Sequence, residues 1–147
     1  MAAEIVHVTT DELLQMGLEI RMKVFVEEQK VPVEEEVDEY DVIGDQVHHL
    51  LLMDEGRPVA TGRLTYYKSG AAKMQRIAVL KEYRSKGYGR VLLLALEELA
   101  RDLGLDYSIL DGQCQAEQFY LKLGYEVIST EPFYDAGILH VRMQKAL

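Results

Sequence analysis

The chain of 147 residues, 48% of them hydrophobic, has the size of one domain with an ordinary core, and a single domain over residues 1–147 is expected. Its net charge of −9 disfavours nucleic acid as a partner, because anionic phosphate backbones would be repelled. One cysteine excludes an internal disulfide and a thiolate metal cage, and no apolar run approaches the roughly 20 residues of a membrane span, so a cytoplasmic protein without metal or membrane partner is expected.

The first half of the chain predicts a strand, two helical segments and a meander of strands. Residues 4–8 alternate like a strand, and Thr9 followed by Glu12 has the spacing of a capping box, which predicts a helix over residues 10–24. The acidic residues 32–41 are expected to be irregular or to form a short helix. Apolar runs separated by glycine turns predict three strands, at residues 47–53, 59–67 and 73–79.

The second half predicts a crossover helix followed by mixed elements. A leucine stripe predicts a helix over residues 87–103, and Gly104 is placed to end it. The remaining predictions are a strand at 107–110, a helix at 116–123 and strands at 125–128 and 138–143. The order β-α-α-β-β-β-α-β-α-β-β describes an α+β fold whose mixed, mostly antiparallel sheet is flanked by helices, with at least one parallel strand pair.

Glycines and cations meet at the turn between strand 73–79 and the crossover helix, in the segment Arg84-Ser85-Lys86-Gly87-Tyr88-Gly89-Arg90. The first N–H groups of a helix lack partners and carry the positive end of its dipole, so they bind phosphate oxygens. The glycines allow close approach, and the cations add charge-assisted hydrogen bonds. A tight, solvated connection could use the same residues, and neither the dinucleotide fingerprint nor the Walker loop is present. The turn nevertheless predicts a phosphate-containing ligand.

The segment Arg84-Ser85-Lys86-Gly87-Tyr88-Gly89 resembles the Gln/Arg-x-x-Gly-x-Gly/Ala motif of the GNAT superfamily of acetyl-CoA-dependent N-acetyltransferases. A later helix matches the family's Ala-x-x-x-Tyr pattern followed by glycine and an aromatic residue, with Ala116, Tyr120, Gly124 and Tyr125. The predicted element order also agrees along nearly the whole chain. Residues 21–29, 32–41 and 135–140 further resemble a branch of uncharacterised bacterial acetyltransferases. The resemblance implies a GNAT-type acyl-CoA N-acyltransferase fold and acetyl-CoA as cosubstrate.

The resemblance also implies which residues contact acetyl-CoA. The backbones of Ile77 and Val79 would pair with the pantetheine arm in a gap between splayed parallel strands. The N–H of Ala78 or Val79 would polarise the thioester carbonyl, and residues 84–90 would surround the pyrophosphate. The implied cofactor contacts are Ile77, Ala78, Val79, Arg84, Ser85, Lys86, Gly87, Tyr88, Gly89, Arg90, Phe119 and Gln113, the last standing where the family usually has Asn.

Acetyl transfer to an amine needs an acid for the departing thiolate and a base for the amine. Tyr120 matches the family position whose phenol protonates the CoA sulfur; the alternative is a packed aromatic whose hydroxyl is hydrogen-bonded. His140 is the first candidate base, since an imidazole titrates at about 6.5, although a histidine in a strand is often structural. Glu28 is the second, if burial raises its pKa. Cys114 could carry an acyl group, but without a dedicated partner a small buried thiol is expected.

The acidic residues 32–41 are the candidate site for a cationic acceptor, with Glu36 and Asp38 as substrate-binding residues; six carboxylates in one stretch more often form a solvated loop. The sequence therefore predicts an N-acetyltransferase that moves the acetyl group of acetyl-CoA directly to a primary amine of a small molecule or peptide, in a ternary complex. The alternative is a non-catalytic acyl-CoA-binding sensor module. A homodimer joined through an edge strand is compatible with such folds.

Overall fold

The computed structural model describes residues 3–68 and 70–147, in which eight strands form one sheet. The strands lie in the order β1-β2-β3-β4-β5-β8-β6, and β7 also pairs with β8. In chain order they are β1 (Ala3–His7), β2 (Val47–Asp54), β3 (Arg57–Tyr66), β4 (Ala71–Val79), β5 (Tyr107–Gln113), β6 (Glu126–Val127), β7 (Phe133–Asp135) and β8 (Ile138–Ala146). Within the described ranges β4–β5 is the one parallel pair, which confirms the mixed, mostly antiparallel sheet.

Helices lie on both faces of this sheet. They are α1 (Asp11–Arg21), α2 (Val33–Glu36), α3 (Tyr88–Asp102) and α4 (Glu117–Lys122), and α1 continues directly into a π-helix, Met22–Glu28. The cap of α1 is Thr10, one residue later than the sequence pattern suggested, because its hydroxyl accepts from the N–H of Leu13. Across residues 3–68 and 70–147, no helix is both long enough and apolar enough to cross a membrane.

Two apolar clusters join the helices to the sheet. The predicted leucine stripe of α3 is fully buried at Leu92 and Leu96, together with Leu93, against one face. On the other face α1 and the π-helix bury Leu14 and Val24 with residues of β2 and β4. Burial of this kind stabilises by about 25 cal/mol per Å² of apolar surface, so the sheet is held between two packed layers.

The second half of β4 separates from β5. Arg76 and Ile77 form a bulge opposite Gly62 of β3, and Arg76 takes the left-handed conformation at φ 58°. A bulge places two residues against one and bends the strand. In the described chain β4 and β5 pair only between residues 71–74 and 107–110. A gap therefore opens between the two parallel strands beyond these residues.

The predicted element order is wrong in one respect, because it lacks β7. This strand has three residues and turns into β8 through Ala136 and Gly137, both at positive φ. A run of three residues is too short to show the alternation that identifies a strand in sequence. The predicted strand at 107–110 also extends further, to Gln113.

Candidate functional site

A cavity of about 750 Å³ occupies the gap between β4 and β5, bounded by the π-helix and α2 on one side and by α4 and the β7–β8 hairpin on the other. Ten of the predicted site residues line it: Glu36, Ile77, Ala78, Val79, Arg84, Gly89, Gln113, Phe119, Tyr120 and His140. Seven others lie outside the lining: Glu28, Asp38, Ser85, Lys86, Gly87, Tyr88 and Arg90. The fold thus gathers residues from six separate elements, and from the turn that holds Arg84, around one space.

The backbone of β4 presents polar groups to this gap. The N–H of Leu80 donates to the carbonyl of Val59 on β3, at 2.9 Å. Successive N–H groups of a strand point in opposite directions, so the N–H of Val79 points away from β3, into the gap. The carbonyl of Val79 lies on the same side, where Arg84 Nε donates to it at 2.9 Å. Of Ala78 and Val79, the geometry favours Val79 as the amide that faces a ligand.

The glycine turn ends in an exposed helix start. Gly87 caps α3 with φ 81°, and Ser85 before it has φ 70°. The first helical hydrogen bond runs from the N–H of Val91 to the carbonyl of Gly87, at 3.1 Å. The N–H groups of residues 88–90 precede that bond, and within the described residues no side chain caps them. These three N–H groups carry the positive end of the α3 dipole and have the geometry that favours an anion.

The cationic side chains of the turn make other contacts. Arg84 forms a bidentate ion pair with Glu28, at 3.0 and 2.7 Å. The Arg84 hydrogen bonds lower the pKa of Glu28, so the rise expected for a catalytic base is wrong. Lys86 lies 5.7 Å from the centre of the Tyr83 ring, and the hydroxyl of Tyr88 donates to Asp54. A phosphate ligand of Arg84 would therefore have to replace Glu28.

Tyr120 lies on α4 with its ring against β5. A Cβ at Gly112 would come within 2.9 Å of that ring, so only glycine at 112 allows this packing. Burial raises the pKa of Tyr120 to about 12. The phenol therefore stays protonated at neutral pH, and Tyr120 lines the cavity as the candidate proton donor.

His140 lies on β8 opposite Gln113 of β5 and stacks on Phe133, with ring centres 6.2 Å apart. Its Nδ1 is 2.7 Å from the carbonyl oxygen of Ile138. A carbonyl can only accept, so Nδ1 carries the hydrogen and Nε2 of the neutral ring is left as the acceptor. The side chain lines the cavity and is fixed in orientation. This is the arrangement that a general base requires.

The acidic segment is only partly solvated, because Glu34, Glu35 and Glu39 are exposed whereas its other three carboxylates pair with arginines. Arg21 Nε lies 2.8 Å from Glu36, and Arg63 lies 2.7 Å from Asp38 and 3.0 Å from Asp41. Arg21 and Arg63 are only 2% and 1% exposed, and Glu36 is 3% exposed. In the described chain three cations meet three carboxylates in this buried network, which consists of Arg21, Arg63, Arg76, Glu36, Asp38 and Asp41.

The buried network contains equal numbers of basic and acidic side chains. Burial acts to raise the pKa of Asp38 and of Asp41, but the hydrogen bonds from Arg63 and Arg21 outweigh it, and both pKa values lie below the usual range. The two carboxylates are therefore ionised at neutral pH and compensated by arginines. Glu36 and Asp38 are already bound by these arginines, which leaves them little capacity to hold a cationic acceptor.

Comparison with known proteins decides the family. Residues 10–147 match the family model described as an acetyltransferase (GNAT) domain. The chain belongs to the GNAT acetyltransferase family. It is 43% identical over 141 residues to the uncharacterised protein YyaT of Bacillus subtilis, covering 96% of this chain and 94% of that one. It is 44% identical over 135 residues to the uncharacterised N-acetyltransferase YjcF of the same organism, covering 92% and 94%.

Solved structures agree with the fold. The crystal structure of an acyl-CoA N-acyltransferase from Pseudomonas aeruginosa superimposes with a TM-score of 0.86 at 29% identity, covering 98% of this chain and 99% of that chain. The predicted family, fold and enzyme class are confirmed. This GNAT protein is an N-acetyltransferase, of a family that uses acyl-CoA.

Several cavity residues escaped the sequence reasoning. Lys73, Gln75, Asp111 and Gln29 line the cavity, and Asp135 lies at its rim. A signal was present in the strands, because Lys73 and Gln75 flank the buried Met74 at alternate positions and mark a polar face of β4. The same alternation occurs in β5, at Asp111 and Gln113.

Proposed function

We propose that this GNAT enzyme transfers the acetyl group of acetyl-CoA directly to a primary amine of a small molecule or peptide, in a ternary complex within the cavity. The observation that carries the proposal is the convergence of three groups on one space. Tyr120, His140 and Val79 all line the gap between β4 and β5, and the contact of His140 Nδ1 with the Ile138 carbonyl leaves Nε2 as the acceptor. They have the three chemical properties that aminolysis of a thioester requires.

Acetyl-CoA fits the polar groups of this gap. Backbone groups of residues 77–79 face a region where β5 no longer pairs with β4, and such groups need partners. The two amides of a pantetheine arm can supply them in the manner of an added strand. The three free N–H groups at the start of α3 suit a pyrophosphate. Gly89 lies beside Phe119 at the junction of these two parts, where a side chain would narrow the path.

The residues then divide the proton transfers. Bound acetyl-CoA supplies an activated thioester, whose carbonyl carbon bonds to the amine nitrogen as the carbon–sulfur bond breaks. His140 Nε2 takes the proton that the amine loses, and Tyr120 gives its proton to the departing sulfur. The N–H of Val79 stabilises the negative charge that develops on the carbonyl oxygen. Exchange with water returns a proton to Tyr120 and removes one from His140, which restores the enzyme.

Thiol release from acetyl-CoA across a panel of primary amines tests this proposal, with the thermal shift caused by CoA measured in parallel. We expect release that depends on the amine, and stabilisation by CoA. The His140→Gln variant should keep the stabilisation and lose most of the release. Stabilisation of the wild-type enzyme without release for any amine would contradict the proposal and favour a non-catalytic acyl-CoA sensor.

A further inference from the structure

The floor of the cavity holds a second charged cluster, which is not balanced. Arg142 Nε and Nη2 donate to the two carboxylate oxygens of Asp111, at 2.8 and 3.0 Å. Lys73 Nζ lies 3.3 Å from the same carboxylate. Within residues 3–68 and 70–147, two cations thus share one anion. The buried network beside α2 is three against three, whereas this cluster has a surplus of one positive charge.

The Asp111 carboxylate is ionised at neutral pH. Burial acts to raise the pKa of Asp111, but the hydrogen bonds from Arg142 and the charge of Lys73 outweigh it, and its pKa lies below the usual value. The side chains of Lys73, Asp111 and Arg142 are 16%, 15% and 32% exposed. Partly buried charges such as these are stabilised by a partner of opposite sign. The Tyr67 ring lies 5.2 Å from Lys73 Nζ and 5.5 Å from the Arg142 guanidinium. The ring stabilises both cations through cation–π contacts but supplies no negative charge.

Lys73 can reach a ligand in the cavity. An ammonium group has three donors, and within the described chain Lys73 Nζ forms one ion pair, with Asp111. Lys73 is part of the cavity lining, whereas Arg142 lies behind Asp111. The surplus charge is therefore presented to the cavity by Lys73.

This charge lies on the same sheet face as the candidate base. Asp111 pairs with Arg142, and Gln113 pairs with His140, two positions further along β5 and β8. Residues two apart on a strand project to the same face, about 7 Å from each other. Gly112 between them faces Tyr120 on the opposite side. A small acceptor can thus lie along this face, between the base and the cationic floor.

We infer that the acceptor is an amino acid, whose carboxylate binds Lys73 while its amine faces His140. The cluster has one more positive than negative charge, and the single carboxylate of an amino acid would supply the missing negative charge. The amine end has the opposite character, because Asp135, on the strand whose Phe133 pairs with His140, stands exposed at the cavity wall and attracts an ammonium group. This inference rests on the proposed function and adds to it the class of the acceptor.

The test compares kcat/KM for α-, β- and γ-amino acids with the values for their carboxamides and for the corresponding decarboxylated amines. The wild-type enzyme should prefer the carboxylate form of its best acceptor by about 10- to 100-fold, the size expected for one charge-assisted contact. Lys73→Met should lose that preference through a higher KM for the amino acid, with an unchanged KM for acetyl-CoA. Lys73→Arg, which keeps the charge, should retain most of it.

Lys68→Met is the matched control. Lys68 also lies over the Tyr67 ring, at 5.4 Å, but it is exposed and outside the cavity lining. Removing its charge should leave the preference intact. Equal or better use of the carboxamides or amines by the wild-type enzyme would overturn the inference while leaving acetyl transfer in place, as would an equal effect of Lys68→Met and Lys73→Met. Acetylation of none of these acceptors, by an enzyme that binds acetyl-CoA, would instead contradict the proposed function.

Discussion

Two regions of the site, the start of α3 and residues 33–41, are built by different physical means. The start of α3 depends on local backbone conformation, with Gly87 in the left-handed region and free N–H groups behind it. The other region, residues 33–41 around α2, depends on charges, because its carboxylates are held by Arg21 and Arg63 from distant elements. Val33 and Val37 of that region are exposed, so apolar burial contributes little there. Ion pairs therefore fix one region, and backbone geometry fixes the other.

The largest effect is expected when one cation of the buried network is removed. Arg63→Met leaves Asp38 and Asp41 without one partner each and should lower the free energy of unfolding by about 3–5 kcal/mol, the usual cost of an uncompensated buried charge. Urea denaturation measures it. The control is Lys86→Met, an exposed cation of the α3 turn, which should change stability by less than about 0.5 kcal/mol. A loss under about 1 kcal/mol for Arg63→Met would show that the charges do not hold this region.

The next effect concerns catalysis within the cavity. Tyr120→Phe keeps the ring against Gly112 but removes the proton donor, so kcat should fall about 100-fold, or about 2.7 kcal/mol. The KM for acetyl-CoA should stay within about twofold. Tyr125→Phe is the comparison, since that hydroxyl is bound to Ser108 and Glu97 in the core and should affect stability more than turnover. Wild-type turnover in Tyr120→Phe would remove the acid role.

The start of α3 is tested by a matched pair of glycines. Gly87 and Gly56 have φ 81° and 80°, and a Cβ at either would meet nothing within 4 Å. Valine at each position should therefore cost a similar amount, about 1–2 kcal/mol of backbone strain. Gly87→Val should also weaken CoA binding about tenfold or more by calorimetry, whereas Gly56→Val, in the β2–β3 turn, should not. Unchanged CoA affinity in Gly87→Val would show that the phosphate groups of CoA bind elsewhere.

The smallest effect is a pH dependence of stability in the charged region. The pKa of Asp41 is lowered in the folded protein, so its contribution is present above the unfolded value of about 3.9 and is lost as the pH falls through the folded pKa. The melting temperature should drop below about pH 4, and Asp41→Asn should flatten that drop. Glu34→Gln, an exposed carboxylate in the same segment, should retain the wild-type curve. An identical curve for Asp41→Asn and wild type would contradict the assignment.

How well each region could be predicted from the sequence depends on whether its contacts are local or long-range. The leucine stripe of α3 and its glycine turn are periodic and local, and both were predicted from sequence. The arginine network joins residues 15 to 40 positions apart, and the Arg84–Glu28 pair spans 56. Pairing at that range depends on topology, which residue spacing does not reveal. One clue was available, since the charged Arg63 stands between Gly62 and Leu64 in the middle of β3, where residues 59–65 are all buried.

The candidate site divides in the same way. Tyr120 and the turn of α3 could be identified because they belong to compact motifs. Lys73 and Asp111 could not, because their surplus charge becomes visible only when β4, β5 and β8 are placed side by side. The acidic segment was misread for a related reason, since a run of carboxylates looks solvated until its buried arginine partners are known.

Mass spectrometry of the intact enzyme tests the central claim of direct transfer. The enzyme is incubated with acetyl-CoA alone and then with an accepted amine. The masses of the protein and of the amine are measured at each stage. Direct transfer predicts an unmodified protein at the first stage and an acetylated amine at the second. An acetyl group on the protein, on Cys114 beside the cavity for example, that passes to the amine when it is added would contradict the account.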